Sequence, residues 1–353
     1  MSETVVAVEL DGAALGADDL LRVLEIEVEE ATDAADAAAL TAQLAPGADG
    51  GWTSVLDALT APRTPLAVEL RRDGTSYRFD GLTTEAAWEV APDATSTLTV
   101  KALDRTLEMN LEEKVARWPG SSDSQIAETI LSSYGFDADV EATPDSPDPD
   151  VHVVVQRASD WAFLRSLATK WGYAVYLEAA DDGIVGTFKP LDPLADPQGE
   201  LAFGFGAAAR SASVQVRLTA GRDVKAWRLL PLGFDLLDGE SDGTEQAQGP
   251  SPLGGQTTVL LAPEDVEGEI EPARAAISLA DRSAFVVRLE AEVDTEALGS
   301  VVRARRTVSV SGLGPTLAGT YLVDRVRHRV TRDGHRQRVT LLRNALGEGG
   351  GPF

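Results

Sequence analysis

The stretch SDWAFLRSLATKWGYAVYL, residues 159–177, predicts a helix, a cap and a strand in succession. Ser159 or Asp160 can accept hydrogen bonds from the free N–H groups of a first helical turn, and the aspartate also suits the positive end of the helix dipole. Gly172 can adopt the left-handed conformation that ends a helix, and the aromatic and β-branched residues after it favour a strand. We therefore expect a helix that packs against the strand following it.

Apolar side chains recur in this helix at steps of three and four residues, which places them on one face. They are Trp161, Leu164, Leu167, Ala168 and Trp171. Two tryptophans at helical spacing usually pack inside a protein. We expect Trp161, Leu164, Leu167 and Trp171 to form structural core rather than a site of chemistry.

Length and composition indicate a folded chain with more than one domain. A chain of 353 residues is long enough for two or three domains, and its 43% hydrophobic and 25% charged residues are typical of soluble globular proteins. No apolar run approaches the ~20 residues of a membrane span, and the first residues do not resemble a signal peptide. We expect synthesis and assembly in the cytoplasm, without membrane insertion by this chain.

The absence of cysteine excludes disulfides, thiol nucleophiles and cysteine-ligated metal sites. A net charge of −26 disfavours stable nucleic-acid binding, because neutralising phosphates requires a basic surface. This charge is unevenly distributed: residues 1–50 carry twelve acidic side chains and one arginine, whereas residues 301–343 carry ten arginines and two aspartates. The two ends of the chain therefore have opposite charge.

Several of these arginines are predicted to share one face of a strand pair near the C-terminus and to form an interface. The candidates are Arg325, Arg327 and Arg329 on one strand, Arg336 and Arg338 on the facing strand, and Arg303 and Arg305 as a continuation. Because like charges repel, we hypothesise that acidic groups of another surface offset them, such as the N-terminal region of a neighbouring subunit. The alternative is a solvated face with weak ion pairs.

The first hundred residues predict a series of antiparallel strands. Residues 21–29 alternate apolar and polar side chains, which directs Glu25, Glu27 and Glu29 to an acidic outer face. That face is either solvated or in contact with a basic partner. Two further strands flank the Asp73-Gly74 turn, which is the signature of a hairpin. The spacing of strands and turns predicts a barrel or sandwich.

The middle of the chain changes pattern. A helix is predicted at 122–134, before a Pro-Asp segment at 144–150 and the helix and strand described above. Strand patterns return from Ser213, and the last two strands face each other across Asp333-Gly334. The sequence thus predicts a mainly β fold with a mixed α/β insertion.

No catalytic, cofactor or metal site is predicted. The three histidines, His152, His328 and His335, lack a zinc motif, and we expect them to be surface or packing residues. The sequence from Gly204 to Ala209 partly matches a dinucleotide-binding fingerprint, but no helix crossover follows it, so a loop is favoured. Serine-nucleophile and phosphate-loop motifs are also missing. These patterns do not indicate an enzyme.

Several short motifs occur in order along the chain. They are SDWAFL at 159–164, GLG at 312–314, GTYLV at 319–323, VRH at 326–328 and LRNA at 342–345. Taken together, they resemble the late control protein D family of phage baseplate hubs, which is related to the hub half of type VI secretion spike proteins. The resemblance spans roughly residues 95–346 and implies two tail-tube-like β-barrels in one chain plus a small mixed α/β domain.

Mapped onto this chain, the resemblance implies five segments. They are a first barrel at 1–112, an inserted α/β domain at 113–205, a second barrel from 206–230 and 296–346, an acidic Gly/Pro-rich insertion at 231–295, and a flexible tail at 347–353. The fused spike domains of some relatives have no counterpart here, so the spike is expected to be a separate protein.

The resemblance further implies a structural hub of a contractile phage tail or injection system, located in the baseplate. Its expected partners are two further copies in a homotrimer, the hexameric tail tube, the spike and other baseplate proteins. Two alternatives remain: a tail-associated peptidoglycan hydrolase, and an effector-binding or nucleic-acid-binding module that uses the C-terminal arginines. Lytic activity would favour the first alternative, and salt-dependent DNA retention would favour the second.

Overall fold

The computed structural model describes residues 4–47, 51–91, 95–145, 153–180, 182–229, 236–261 and 272–347. The N-terminal part is almost entirely β. Its strands are β1 (Val5–Leu10), β2 (Ala13–Ala14), β3 (Val23–Ala31), β4 (Ala37–Gln43), β5 (Ala45–Pro46), β6 (Trp52–Thr53), β7 (Pro65–Arg72), β8 (Thr75–Glu89) and β9 (Thr97–Asp104). Two short helices, α1 (Ala17–Leu20) and α2 (Thr106–Met109), and a 3-10 turn (Asp57–Thr60) accompany them.

The central part mixes helices and strands, and the C-terminal part returns to strands. The central elements are β10 (Glu113–Pro119), α3 (Asp123–Ser133), β11 (Asp137–Val140), β12 (Val153–Ser159), α4 (Asp160–Trp171), β13 (Ala174–Ala180) and β14 (Gly183–Lys189). The remaining elements are β15 (Glu200–Ala202), β16 (Ala209–Val216), β17 (Arg222–Leu229), β18 (Leu236–Ser241), β19 (Ser251–Pro252), β20 (Thr257–Leu261), α5 (Pro272–Ala284), β21 (Val287–Asp294), α6 (Thr295–Leu298), β22 (Thr307–Ser311), β23 (Gly319–Thr331), β24 (Gly334–Arg343) and β25 (Ala345–Leu346).

One large sheet joins the two ends of the chain. Its 13 strands include the path β16-β21-β24-β23-β3-β4-β9-β8-β7-β1-β2, with β22 on β23 and β15 on β22. Every pairing on the path is antiparallel, which confirms the mainly β fold that the sequence predicts. The hairpin predicted at Asp73-Gly74 is also confirmed, since Arg72 pairs with Thr75.

Strand β23 connects the two halves of this sheet. Its first residues pair with β22, whereas residues 325–331 pair with β3. The register shifts between Val323 and Arg325, and such a bulge bends a strand and increases its twist. A single strand can therefore exchange one neighbour for another.

Two separate hydrophobic cores lie in the two halves. The first contains Val8, Leu40, Val68, Phe79 and Val100, all from the N-terminal strands, with Val301 as its contribution from the C-terminal part. The second contains Leu201, Leu289, Val310, Tyr321 and Leu341. In the second half, a bridge between Phe203 and Ala209 brings the segment after β15 next to β16.

A third core belongs to the α/β part, and the stretch at 159–177 is at its centre. The Ser159 side chain caps α4 by accepting from the Ala162 N–H, and Gly172 ends the helix at φ 72°. The helix and its caps are thus confirmed. Trp171 Nε1 and Lys170 Nζ both donate to Asp123 Oδ2 at 2.7 Å, which ties α4 to the start of α3.

Two strands take positions that differ from the segments expected from the sequence. Strand β17, expected in the second barrel, pairs with β18 and β20, and its Val224 and Ala226 pack in the α/β core. Strand β21, expected in the acidic insertion, lies between β16 and β24 in the large sheet. Its alternate residues from Val287 to Val293 are buried, which suits a strand with one face on a core.

Parts of four earlier expectations lie outside the described residues. These parts are His152, residues 146–150 of the Pro-Asp segment, residues 348–353 of the C-terminal tail, and residues 231–235 and 262–271 of the acidic insertion. Among the helices that are described, none combines the length and apolar character needed to cross a membrane.

Candidate functional site: a charge ladder and a buried polar cluster

The arginines of β23 lie beside the acidic residues of β3. We call this group the charge ladder; it comprises Arg325, Arg327, Arg329, Arg336, Arg338, Glu25, Glu29 and Glu292. Arg325 NH1 and Arg327 NH2 each lie 2.5 Å from a carboxylate oxygen of Glu29. Arg329 Nε lies 2.6 Å from Glu25 Oε1. The antiparallel pairing of β3 and β23 aligns these side chains on one face.

The other side of the ladder brings like charges together. Arg327 lies directly opposite Arg338, and Arg329 lies directly opposite Arg336. The sequence predicts this arrangement of arginines on two facing strands. Arg336 NH1 reaches Glu292 Oε1 at 3.4 Å, whereas the Arg338 guanidinium contacts no carboxylate of the described residues. Like charges placed opposite each other destabilise a sheet, so the acids of β3 and β21 offset this repulsion.

The carboxylates of Glu25 and Glu29 are held in their charged form. Partial burial alone would raise the pKa of Glu29, but its hydrogen bonds to Arg327 and Arg325 outweigh burial and lower it. Arg329 lowers the pKa of Glu25 in the same way. Ion pairs as exposed as these contribute about 0.2–1 kcal/mol each.

The acids that neutralise these arginines therefore come from the same chain. The sequence alone instead suggested that these acids belong to a neighbouring subunit. A strand pattern does not specify which strand is its partner, so the pairing of β3 with β23 could not be read from it. The residues on this face nevertheless remain candidates for an interface. They form an exposed polar surface that crosses the junction between the two halves of the sheet.

Arg303 and Arg305 do not continue the ladder; they lie in a buried polar cluster on the opposite side of β3. We define this cluster as Glu30, Asp36, Arg303, Arg305 and His328. Consecutive residues of a strand point to opposite faces, so Glu29 faces the ladder and Glu30 the interior. Arg303 Nε donates to Glu30 Oε2 at 2.9 Å, and its NH2 donates to Glu178 Oε1 at 3.2 Å.

Arg305 is the most buried arginine of the cluster, with 1% of its side chain exposed. It pairs with Asp36, donates to the carbonyl of Ala31 at 2.9 Å and lies over the Tyr176 ring. A guanidinium can satisfy several acceptors at once and also stack on an aromatic ring. Arg305 therefore links the N-terminal strands to β13 of the α/β part.

A chain of hydrogen bonds extends from the cluster towards the start of the protein. His328 Nε2 lies 3.0 Å from Glu30 Oε1, and His328 Nδ1 lies 3.2 Å from His335 Nε2. His335 Nδ1 is 3.4 Å from Thr4 Oγ1. Which atom donates in each contact between the rings depends on the tautomer of each histidine. Both histidines are buried, as expected for packing residues.

Burial and charge shift the pKa values of this cluster in different directions. Burial would raise the pKa of Glu30, but the positive charge of Arg303 and the hydrogen bond from His328 lower it to about 2. Burial raises the pKa of Asp36 to about 7 despite Arg305, because Asp104 and Glu30 lie nearby. Burial and the adjacent His328 lower the pKa of His335 to about 3.

The sequence did not identify the acidic members of this cluster. The one available signal was the Glu29-Glu30 pair, where a charged residue occupies a position of β3 that faces the interior. The structure assembles the cluster from residues that are up to 298 positions apart. Its contacts join the N-terminal strands, the α/β part and the C-terminal half.

The residues predicted as core, Trp161, Leu164, Leu167 and Trp171, are all buried in the α/β core. Gly204 and Gly206 lie in the turn between β15 and β16, where Ala207 N–H donates to the carbonyl of Gly204. Within the described ranges, no group of three or more acidic or histidine side chains is arranged to hold a metal ion.

Solved structures similar to this chain come from phage tails and type VI secretion. A 43 kDa tail protein of prophage MuSo2 from Shewanella oneidensis has a TM-score of 0.67 at 13% identity, covering 98% of this chain and 100% of that protein. A Neisseria meningitidis tail protein has the same score and identity, with 97% of each chain covered. The fold is therefore one found in phage tail proteins.

A third structure is the E. coli c3393 protein, described as a component of the type VI secretion system similar to T4 tail proteins. Its TM-score is 0.56 at 13% identity, covering 98% of this chain and 79% of that one. No curated protein matches the sequence. The model of the family described as the Alg8 N-terminal domain matches residues 3–228, which is more than half of the chain. The chain therefore belongs to the Alg8 N-terminal domain family.

Proposed function

We propose that this chain is a baseplate hub of a contractile phage tail or injection system. In this role three copies join the hexameric tail tube to the central spike. The observation that carries the proposal is the presence of two β cores along one continuous sheet, in a fold found in phage tail proteins.

Symmetry explains why two β units in one chain suit such a position. A ring with one unit per chain has the rotational order of its chains, so a threefold ring would not match a sixfold tube. Three chains with two units each present six similar surfaces, and closed symmetry is retained. The two units need not share sequence, because alternation and turns determine such folds more than residue identity does.

The ends of the large sheet offer a way to close the ring. Strand β16 pairs only with β21 over residues 211–216, and the outer edge of β1 is unpaired at its first residues within the described part. Residues 210–213 and Val5 are exposed. Pairing β16 of one copy with β1 of the next would cover both edges, which otherwise invite aggregation.

We propose the segments implied by the sequence as the domains of the hub, with two changes that the positions of β21 and β17 support. The first tube-like barrel is 1–112, the α/β domain is 113–205, and the second barrel is built from 206–230 and 296–346. The position of β21 in the large sheet supports adding residues 287–294 to the second barrel. The packing of β17 supports assigning residues 222–229 to the α/β domain.

The role we propose is structural rather than catalytic, and it places the protein in the baseplate after assembly in the cytoplasm. The tail tube, the spike and other baseplate proteins would be its partners. The charge ladder would lie on an assembly surface, because it crosses both halves of the sheet.

Electron cryomicroscopy of the assembled particle tests this function. The chain is expressed together with the tube and spike proteins of the same particle, and copies are counted in the reconstructed hub. Three copies, each with two tube-like barrels, are expected. Six copies in the hub, or a subunit that contributes one barrel, would contradict the proposal.

A further inference from the structure

Strands β10 and β12 form a two-stranded ribbon at the surface of the α/β part. Seven residue pairs join them, from Glu113 with Ser159 to Pro119 with Val153. Within the described residues neither strand pairs with a third, so both outer edges present unpaired backbone groups. Such edges can bind an additional strand.

The inner face of the ribbon is firmly attached to the α/β core. Trp118 and Val154 pack against that core. Lys114 Nζ lies 2.5 Å from Asp160 Oδ2, and Gln156 Nε2 donates to Asp160 Oδ1 at 2.7 Å. Because α4 begins at Asp160, these contacts fix the ribbon to the helix and give it a defined shape.

The outer face of the ribbon exposes apolar side chains. Val115 is 83% exposed and Val155 is 40% exposed, although β-branched residues in strands usually pack against a neighbour. The register places Val115 opposite Arg157 and Val155 opposite Arg117. Two valines and two arginines thus alternate in a compact patch.

The charge of this patch differs from that of the chain as a whole. The guanidinium groups of Arg117 and Arg157 contact no carboxylate among the described residues, and the acidic residue on this face is Glu113 at the end of β10. The chain as a whole carries a net charge of −26. The patch is therefore complementary in charge to an acidic partner, because arginine forms strong paired hydrogen bonds with carboxylates.

We propose that the ribbon binds an extended acidic segment of a partner protein, which adds to the β10 or β12 edge as a further strand. The segment would alternate apolar and acidic residues on one face. Its apolar side chains would cover Val115 or Val155, and its carboxylates would pair with Arg117 or Arg157. Backbone hydrogen bonds supply affinity in this mode of recognition, and the side chains supply specificity.

A different protein is favoured over a second copy of this chain. Copies of this chain are proposed to meet through the free edges of β16 and β1, and the ribbon is separate from those edges. The inference therefore does not depend on the number of copies in the hub.

A labelled peptide of alternating valine and glutamate tests the proposal by fluorescence anisotropy, with a valine-lysine peptide of equal length for comparison. We expect the full chain to bind the acidic peptide and the double variant R117E/R157E to bind it at least tenfold more weakly. The variant R217E/R222E carries the same charge change on two other exposed arginines, Arg217 in the turn after β16 and Arg222 at the start of β17, and it should bind normally.

Hydrogen exchange provides a second measurement, since an added strand should protect backbone amides of β10 or β12. Failure of the acidic peptide to bind, equal binding of the lysine peptide, or equal loss in both variants would overturn the proposal. Self-association that R117E/R157E abolishes would also overturn it, because the ribbon would then be a contact between copies. Retention of a DNA duplex that the same variant abolishes would overturn it too, because the ribbon would then be a nucleic-acid site.

Discussion

Replacing Glu30 with glutamine should destabilise the protein by roughly 3 kcal/mol at neutral pH. The Glu30 carboxylate is fully buried and accepts hydrogen bonds from Arg303 Nε at 2.9 Å and His328 Nε2 at 3.0 Å. A tenfold change in proton affinity corresponds to about 1.4 kcal/mol. The fall in the pKa of Glu30 from its usual 4.5 to about 2 thus corresponds to roughly 3 kcal/mol of stability.

Mutational experience with buried ion pairs gives a similar figure. Removing one partner of such a pair costs about 3–5 kcal/mol, because the other charge stays buried without compensation. Arg303 keeps Glu178 at 3.2 Å and the Ser76 carbonyl at 3.1 Å, so the lower end of that range is expected.

Urea unfolding followed by circular dichroism measures this loss, and its pH dependence identifies the cause. Because the folded-state pKa of Glu30 is lowered, its stabilisation is complete above pH 4.5 and is lost as the pH falls towards 2. The difference between wild type and Glu30→Gln should shrink over that interval. Glu85→Gln is the control, since Glu85 forms an exposed cross-strand pair with Lys101, and it should cost about 1 kcal/mol or less.

A loss of less than about 1 kcal/mol of unfolding free energy at pH 7 would refute this reasoning. Removing a fully buried carboxylate that accepts from two charged or polar donors is expected to cost more than that. A difference between the two proteins that stays constant between pH 4.5 and 2 would also refute it. The stabilisation would then not arise from the ionised carboxylate.

Three further predictions concern the core, the ladder and the histidines. Trp161→Ala should cost about 3–5 kcal/mol in urea unfolding, since it empties a large buried site; a fully stable variant would indicate an exposed docking surface. A triple glutamine variant of Arg325, Arg327 and Arg329 should keep the monomer fold and weaken assembly in sedimentation experiments; unchanged assembly would count against an interface. His335 should stay neutral in the folded protein down to about pH 3. Because the same histidine takes up a proton near pH 6.5 in the unfolded chain, the stability of the fold decreases as the pH falls from 6.5 towards 3. An NMR titration midpoint near 6.5 would contradict its burial.

The local signals of the sequence were sufficient for the helix at the centre of the α/β part. Capping and periodicity act over three or four residues, so Ser159, the apolar stripe and Gly172 determine where α4 begins and ends. The hairpin turn at Asp73-Gly74 is equally local, because both residues adopt positive φ values that few other residues tolerate.

The alternation in β3 indicated which of its side chains share a face, but it did not indicate their neighbours. The pairing of Glu29 with Arg325 and Arg327 connects residues 296 and 298 positions apart, and many other registers fit the same pattern. For this reason the acids were expected from another subunit. Strand order depends on how all the strands bury their apolar faces together, which a single pattern does not encode.

The buried cluster depends even more on tertiary structure. Arg303 and Arg305 resemble the ladder arginines in sequence, since they are two residues apart, as Arg325, Arg327 and Arg329 are. They lie instead in an interior loop, where Glu30 and Asp36 compensate their charge. The sequence thus determined the helices α3 and α4, the hairpin turn at Asp73-Gly74 and the faces of the strands, because these arise from neighbouring residues. The folded structure decided which charges meet and which are buried, because burial results from contacts between distant parts of the chain.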